Sequence, residues 1–220
     1  MTTRTGLSLC CALLALGLLV GSAAASPSFF GYTGLVRIPT ADSLDEEEYN
    51  VAAFAVNVDE GEDYTVFAAN LGLIPQLEVG FARVKPDEVS GETWISAKYA
   101  FAAETNRNPA IAGGVIDLTD ETDTTAYIVL SKSFPRHYKT ALGEIASPRA
   151  HIGVGGGQLD GIFAGLSATL GDRFTLMAEY DSDDFNWGAR LAIGDEWRVH
   201  FGGFDWLDDV GLGISFNKFM

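Results

Sequence analysis

Cysteine is nearly absent from these 220 residues, and both copies, Cys10 and Cys11, fall within the first 25. The rest of the chain has no thiol, which excludes a disulfide framework and a thiolate metal site there. Cations are also scarce: 14 Lys+Arg stand against 30 Asp+Glu, a formal charge of −16. A nucleic-acid partner would need a concentrated basic face, so none is expected. Histidine occurs three times, at His137, His151 and His200, with no His-Glu-x-x-His spacing for zinc. No Gly-x-Ser-x-Gly occurs, and no Lys-Ser/Thr follows the glycines of 153–157 to make a phosphate loop. The acidic clusters, such as Asp59-Glu60-Gly61-Glu62-Asp63 and Asp181-Ser182-Asp183-Asp184, match no calcium-loop pattern. No catalytic residue, metal or cofactor is therefore expected, and the chain reads as non-enzymatic.

Long apolar runs are missing after the first 25 residues, so no transmembrane helix is expected there. The one run that exists, Leu7 to Val20, follows Arg4 and precedes the small residues Gly21-Ser22-Ala23-Ala24-Ala25. That order is a secretory signal, residues 1–25, with cleavage after Ala25 through Ala23 and Ala25. An uncleaved anchor is the rival, since the run almost spans a bilayer.

What the chain does have is 47% hydrophobic residues, which excludes disorder, and 25 glycines. From residue 48 onward a period of two recurs. In 173–180, Phe174, Leu176, Ala178 and Tyr180 share one face, opposite Arg173, Thr175, Met177 and Glu179. In 209–217, Val210, Leu212, Ile214 and Phe216 oppose Asp209, Gly211, Gly213, Ser215 and Asn217. Successive side chains of a strand point to opposite faces, so each segment has one apolar and one polar or small face. The pattern predicts twelve strands: 48–58, 63–72, 76–84, 92–103, 110–119, 123–134, 149–157, 161–170, 172–181, 184–193, 196–204 and 209–217.

A soluble sandwich also alternates, but these strands have the length that a tilted transmembrane strand requires. Aromatics near their ends (Tyr64, Phe101, Phe134, Tyr180, Phe185, Trp197, Phe204, Trp206) suit an interfacial girdle, and an even count closes a barrel. The expected fold is all-β: an antiparallel up-and-down transmembrane barrel over 48–220, preceded by an extended or plug-like segment over 26–47. Such a protein resides in the bacterial outer membrane, in contact with lipid and lipopolysaccharide.

The polar face places Glu78, Glu92, Lys98, His151, Arg173, Glu179, Arg190, Arg198, His200 and Asn217 toward the lumen. Glu179 and Arg190, on adjacent strands, are expected to pair. The set forms either a charged constriction for passing ions or sugars, or an interior network that only satisfies its own charges. By strand parity most acids fall in or beside the loops after odd-numbered strands, an acidic crown at one end. The connection 132–149 is the longest, and its cations offer a surface for a periplasmic export component. In the last strand, Gly211, Ile214 and Phe216 resemble the signal read by the barrel assembly machinery.

The stretch Gly31-Tyr32-Thr33-Gly34-Leu35-Val36-Arg37-Ile38-Pro39-Thr40-Ala41 resembles the opening of the YjbH family of outer-membrane barrels. Its motif residues here are Gly31, Gly34, Pro39 and Thr40. Further matches follow in order at 113–118, 126–132, 151–157, 161–166 and Met177-Ala178-Glu179-Tyr180-Asp181. The resemblance implies a role in production or export of an extracellular polysaccharide, with polysaccharide as a partner. Typical members are larger and often lipidated; this chain is a single short module, and Ser182 stands where a glycine is usual. The alternative is a small passive porin or structural outer-membrane protein without a polysaccharide role.

Overall fold

In the computed structural model, the structure describes residues 25–59, 61–86, 90–134, 138–140, 143–145, 148–171 and 173–220. The predicted leader lies outside these residues except for Ala25. Fourteen strands are present in chain order: β1 (Glu48–Asn57), β2 (Tyr64–Ile74), β3 (Leu77–Pro86), β4 (Glu92–Ala102), β5 (Ala110–Ile116), β6 (Thr125–Ser133), β7 (Tyr138–Thr140), β8 (Gly143–Ile145), β9 (Arg149–Gly155), β10 (Gly161–Leu170), β11 (Phe174–Tyr180), β12 (Phe185–Ile193), β13 (Trp197–Phe204) and β14 (Asp209–Phe219). Twelve of them form the wall. β7 and β8 are a three-residue hairpin beside it, within the segment expected to be only a connection.

Every wall strand pairs antiparallel with its neighbour, and β6 pairs with β9 past the hairpin. The wall closes through β1 and β14, in register from Glu48↔Phe219 to Asn57↔Val210. Closure leaves no wall strand with unpaired backbone, which hydrocarbon requires. Ala25, the first of the described residues, and Met220 lie at one mouth, called here the terminal end; the other is the distal end.

Two strands stop two or three residues earlier than the pattern predicts, each just ahead of a residue with positive φ. β5 ends at Ile116 because Asp117 (φ 55) turns the chain. β9 ends at Gly155, ahead of Gly157 (φ 60) and a 3-10 turn over Gly157–Leu159.

The outer face is apolar around the barrel: Phe67, Phe81, Ile95, Ile128, Ile152, Ile162, Leu166, Leu176, Leu191 and Leu212 are all exposed there. In water that surface would be a large liability; in a bilayer it is the lipid-facing band. Aromatic pairs mark its two borders. Tyr180, Phe185 and Trp206 cluster at the distal rim, with ring centroids 5.0 and 5.7 Å apart. Trp197 and Phe216 (4.9 Å) stand at the terminal rim. Tyr64 and Phe204, expected in this girdle, instead turn inward against Phe30.

Candidate functional site: the occupied lumen

Residues 25–47 run inside the barrel. The segment enters at the terminal end, where Asn217 Nδ2 donates to the Ala25 carbonyl at 2.9 Å. It rises to the distal half, where Phe30 stacks on Trp94 (6.0 Å, 7°). It returns to the terminal end, where Asp42 accepts two hydrogen bonds from Arg149 at 2.8 and 2.9 Å. Phe29, Val36, Ile38 and Leu44 are fully buried. A compact fold of this kind inside a barrel must satisfy its own peptide groups without water. Part of the demand is met locally: Gly34 N donates to Ser26 O (2.9 Å), Phe29 N to Val36 O (3.0 Å) and Leu35 N to Ile38 O (2.9 Å).

The wall meets much of the rest with its charged side chains. Glu179 accepts from three consecutive peptide N–H groups, those of Val36 (3.0 Å), Arg37 (2.6 Å) and Ile38 (3.2 Å). Lys98 donates to the carbonyls of Thr33 (3.0 Å), Thr40 (3.4 Å) and Asp42 (2.6 Å), and to the Thr33 hydroxyl. Opposite it in register, Glu78 accepts from the Thr33 hydroxyl (2.6 Å) and from Leu44 N (3.0 Å). Arg190 donates to the carbonyls of Pro27 (3.3 Å), Gly34 (3.2 Å) and Leu35 (3.3 Å). Its Nε also donates to His200 Nδ1 at 3.2 Å, so that ring nitrogen carries no proton and Nε2 donates to Ser215 (2.8 Å). His151 lies between Ser131 (2.8 Å) and Ser167 (3.2 Å), and Ser131 accepts from Ala41 N (2.9 Å). All three Ser–His contacts face the lumen, so none presents a hydroxyl at the lipid face where a barrel lipid hydrolase would need one.

Small wall residues make room for the segment's apolar side chains. A Cβ on Gly165 would lie 2.7 Å from Leu35 and 2.8 Å from Ile38; one on Gly188 would lie 2.7 Å from Val36. Phe29 rests on Gly202 and Gly211, where a Cβ would meet its ring at 2.8 and 2.6 Å. Gly211 thus has a packing role within the strand read as an assembly signal, while Ile214 faces lipid and Phe216 joins the terminal rim. The motif residues are built into the segment's turns. Gly31 has φ +96, and a Cβ there would approach Ala82 and Ala68 at 2.7 and 2.9 Å. Gly34 bridges Pro39, and Thr40 is buried beside Lys98.

Three expectations fail. Glu179 and Arg190 do not pair, because the register sets Asn186 opposite Glu179 and Thr175 opposite Arg190. Arg173 is exposed, because β11 begins only at Phe174 and leaves it in the preceding turn. Glu92 is half-buried at the distal rim, accepting from Thr122 at 2.7 Å, apart from the network around the segment. Arg198 does face inward, coupled electrostatically to Glu48. Residues the sequence reading missed include Asn50, Asn70, Asp181 and Asn186, all buried, with Asn70 donating to Gly31 O at 2.6 Å. The signal was available for Asn70, the polar member of an otherwise apolar inward face of β2, and for Asn50, which shares the inward face of β1 with Glu48.

Two acids outside the wall strands hold the ends. Burial alone would raise the Asp117 carboxyl, but the Thr122 N–H (2.8 Å), the Thr119 hydroxyl (2.7 Å) and the Glu121 N–H (3.3 Å) outweigh it and hold it below the usual range. Burial is likewise overcome at Glu104, by Ser133, Lys132 and Arg149. Arg149 thereby ties the segment's Asp42 to the loop after β4.

The fold and its interior define a class: a twelve-stranded transmembrane barrel whose lumen holds its own N-terminal segment. No protein-family model matches the chain, and neither does any curated protein sequence. Among solved structures, a KdgM porin superposes with a TM-score of 0.53 over 78% of this chain and 99% of its own, at 12% identity. A triple mutant of the Rhodopseudomonas blastica porin (TM-score 0.32, 15% identity, 70% of this chain and 55% of that one) is a looser match. So is the N-terminal β-barrel domain of Pseudomonas aeruginosa OprF (0.28, 12%, 79% and 98%). At these identities the likeness is one of fold, and of these three the KdgM superposition is the one that weighs in it.

Proposed function

We propose that this chain is a non-enzymatic outer-membrane barrel of the porin type, a small passive pore whose resting lumen is closed by residues 25–47. The terminal end faces the periplasm, and the distal loops with their acids face outward. One observation carries the reading: Glu78, Lys98, Glu179 and Arg190 are each engaged with the segment's peptide groups. In an open constriction such charges would face water and order passing solutes. Here they act as clamps, and conduction requires the segment to shift.

The polysaccharide role rests on the motif at Gly31, Gly34, Pro39 and Thr40, and the packing just described accounts for those residues without a polymer. Lipid and lipopolysaccharide contacts follow from the apolar band, and insertion calls on the barrel assembly machinery. Planar-bilayer recordings test the proposal. The wild-type protein is expected to stay mostly closed with brief openings, and Arg190→Ala, which frees three carbonyls, to lengthen them. Identical, steadily open traces from both would refute the closed resting state. A polysaccharide defect on gene deletion, with no conductance from either protein, would restore the polysaccharide reading.

A further inference from the structure

Among the described residues, three buried polar atoms without a hydrogen-bond partner lie on the neighbouring strands β13, β14 and β1: Arg198 Nη1, Asn217 Oδ1 and Asn50 Nδ2. Asn217, Asn50 and Asn70 stand side by side across β14, β1 and β2. Each asparagine is more than nine-tenths buried. Leaving such an atom unpaired is costly, and Asn217 Oδ1 is the acceptor among them that a donor group could satisfy. The Glu48 carboxylate belongs to the same corner, close to Asn217 and coupled to Arg198.

Asn217 is the most telling. Its Nδ2 holds the Ala25 carbonyl at 2.9 Å while its Oδ1 stays idle. The peptide nitrogen of Ser26 is bonded to that carbonyl carbon, about 2.3 Å from its oxygen by standard geometry. Ser26 N therefore lies within about 5 Å of the Asn217 amide, by the same covalent geometry.

We propose that Asn217 and Glu48 form a binding site for the α-ammonium group of Ser26, created by hydrolysis of the Ala25–Ser26 bond. Water adds across that amide: its hydroxyl goes to the Ala25 carbonyl carbon, and the Ser26 nitrogen leaves with a proton and takes up a second. The Ala23-Ala24-Ala25 stretch suits a peptidase that reads small residues. The carbonyl that Asn217 Nδ2 served departs with the leader. In its place stands an ammonium with three donors, and a half-turn of the Asn217 amide presents Oδ1 to it. Glu48 supplies the opposite charge that a buried ammonium requires. The carbonyl of Ser26 meanwhile holds Gly34 N at 2.9 Å, so the docked terminus fastens the first turn of the lumenal segment.

The inference rests on the lumenal position of residues 25–47, not on whether the pore is closed. The test uses protein extracted from outer membranes in detergent. Terminal sequencing should give Ser26. Acetylation of amines by a succinimidyl ester, followed by mass spectrometry, should label the Ser26 nitrogen roughly tenfold more slowly in the folded barrel than after unfolding. Exposed Lys218 is the internal control, expected to label alike in both states. Asn217→Leu should restore fast labelling of Ser26, and Asn217→Asp should keep it protected. The heat-dependent gel shift of a folded barrel verifies that each variant is assembled, and the wild-type comparison stands without either variant. A terminus at another residue, or equal labelling in the folded and unfolded states, would overturn the proposal. A freely conducting wild type with a protected Ser26 would overturn the closed resting state and leave this inference standing.

Discussion

The two faces of the same wall obey different rules. On β14, Leu212 and Ile214 face outward to lipid while Gly211, Ser215 and Asn217 face the segment within. The outward residues need only be apolar, because lipid tails are fluid and repack around any shape. The inward residues must match one particular chain, atom by atom, at the density of a protein interior. A barrel wall is thus a tolerant surface on one side and half of a protein core on the other.

The sharpest way to break this contrast is at Glu179. Glu179→Ala leaves the N–H groups of Val36, Arg37 and Ile38 without their acceptor and removes a charge that also meets Asn186. Each buried donor left without its acceptor costs about 1–3 kcal/mol. Urea unfolding in detergent, followed by tryptophan emission, should show that loss. A change below about 1 kcal/mol, the range of a solvated surface charge, would mean that the segment does not depend on the wall as described.

A paired substitution of small apolar volumes sharpens the comparison further. Gly165→Val pushes a side chain into Leu35 and Ile38, where even a Cβ lies under 3 Å from both. Overpacking of this kind costs about 1–3 kcal/mol. Leu212→Val on the lipid face removes a methylene where no cavity can persist, and its effect should stay within about 0.5 kcal/mol. Equal effects in the same unfolding assay would erase the distinction between the faces.

The same contrast explains what could be read from the sequence. The wall was legible because one apolar face repeats every second residue, and all twelve of its strands lie where that period predicts. The interior was not, because its partners are set by register between distant segments: Glu179 meets peptide groups 141 to 143 residues away. Parity correctly turned Glu179 and Arg190 inward, but it says nothing of height along the barrel, and Asn186 rather than Arg190 sits opposite Glu179. Arg173 was misplaced by a strand start two residues too early, since a period of two assigns a face even to a turn residue. The girdle assumption misplaced Tyr64 and Phe204, whose rings have a better use against Phe30 than at the lipid border.

The rim, where neither lipid nor the segment sets the rules, should respond less than the packed interior. Asp117 gathers the loop over 117–124 through the N–H groups of Glu121 and Thr122, and Thr124 bonds its carbonyl. Its carboxyl is held below the ordinary value of 3.8, so the ionised form is the one the fold favours. The stabilisation is therefore fully present above that value and is lost as the pH falls through the lower, folded one. Hydrogen exchange of the Thr122 amide should show loop opening that is independent of pH above about 4 and grows more frequent, after correction for intrinsic exchange, only below it. Asp117→Asn keeps the left-handed turn, which asparagine tolerates, and gives up only the charge-assisted part of these bonds. Its cost should be about 1 kcal/mol, with that low-pH rise abolished. A variant that still opens more often below pH ~4 would assign the acid response to another carboxylate of the distal rim, because an Asn at 117 has no proton to gain.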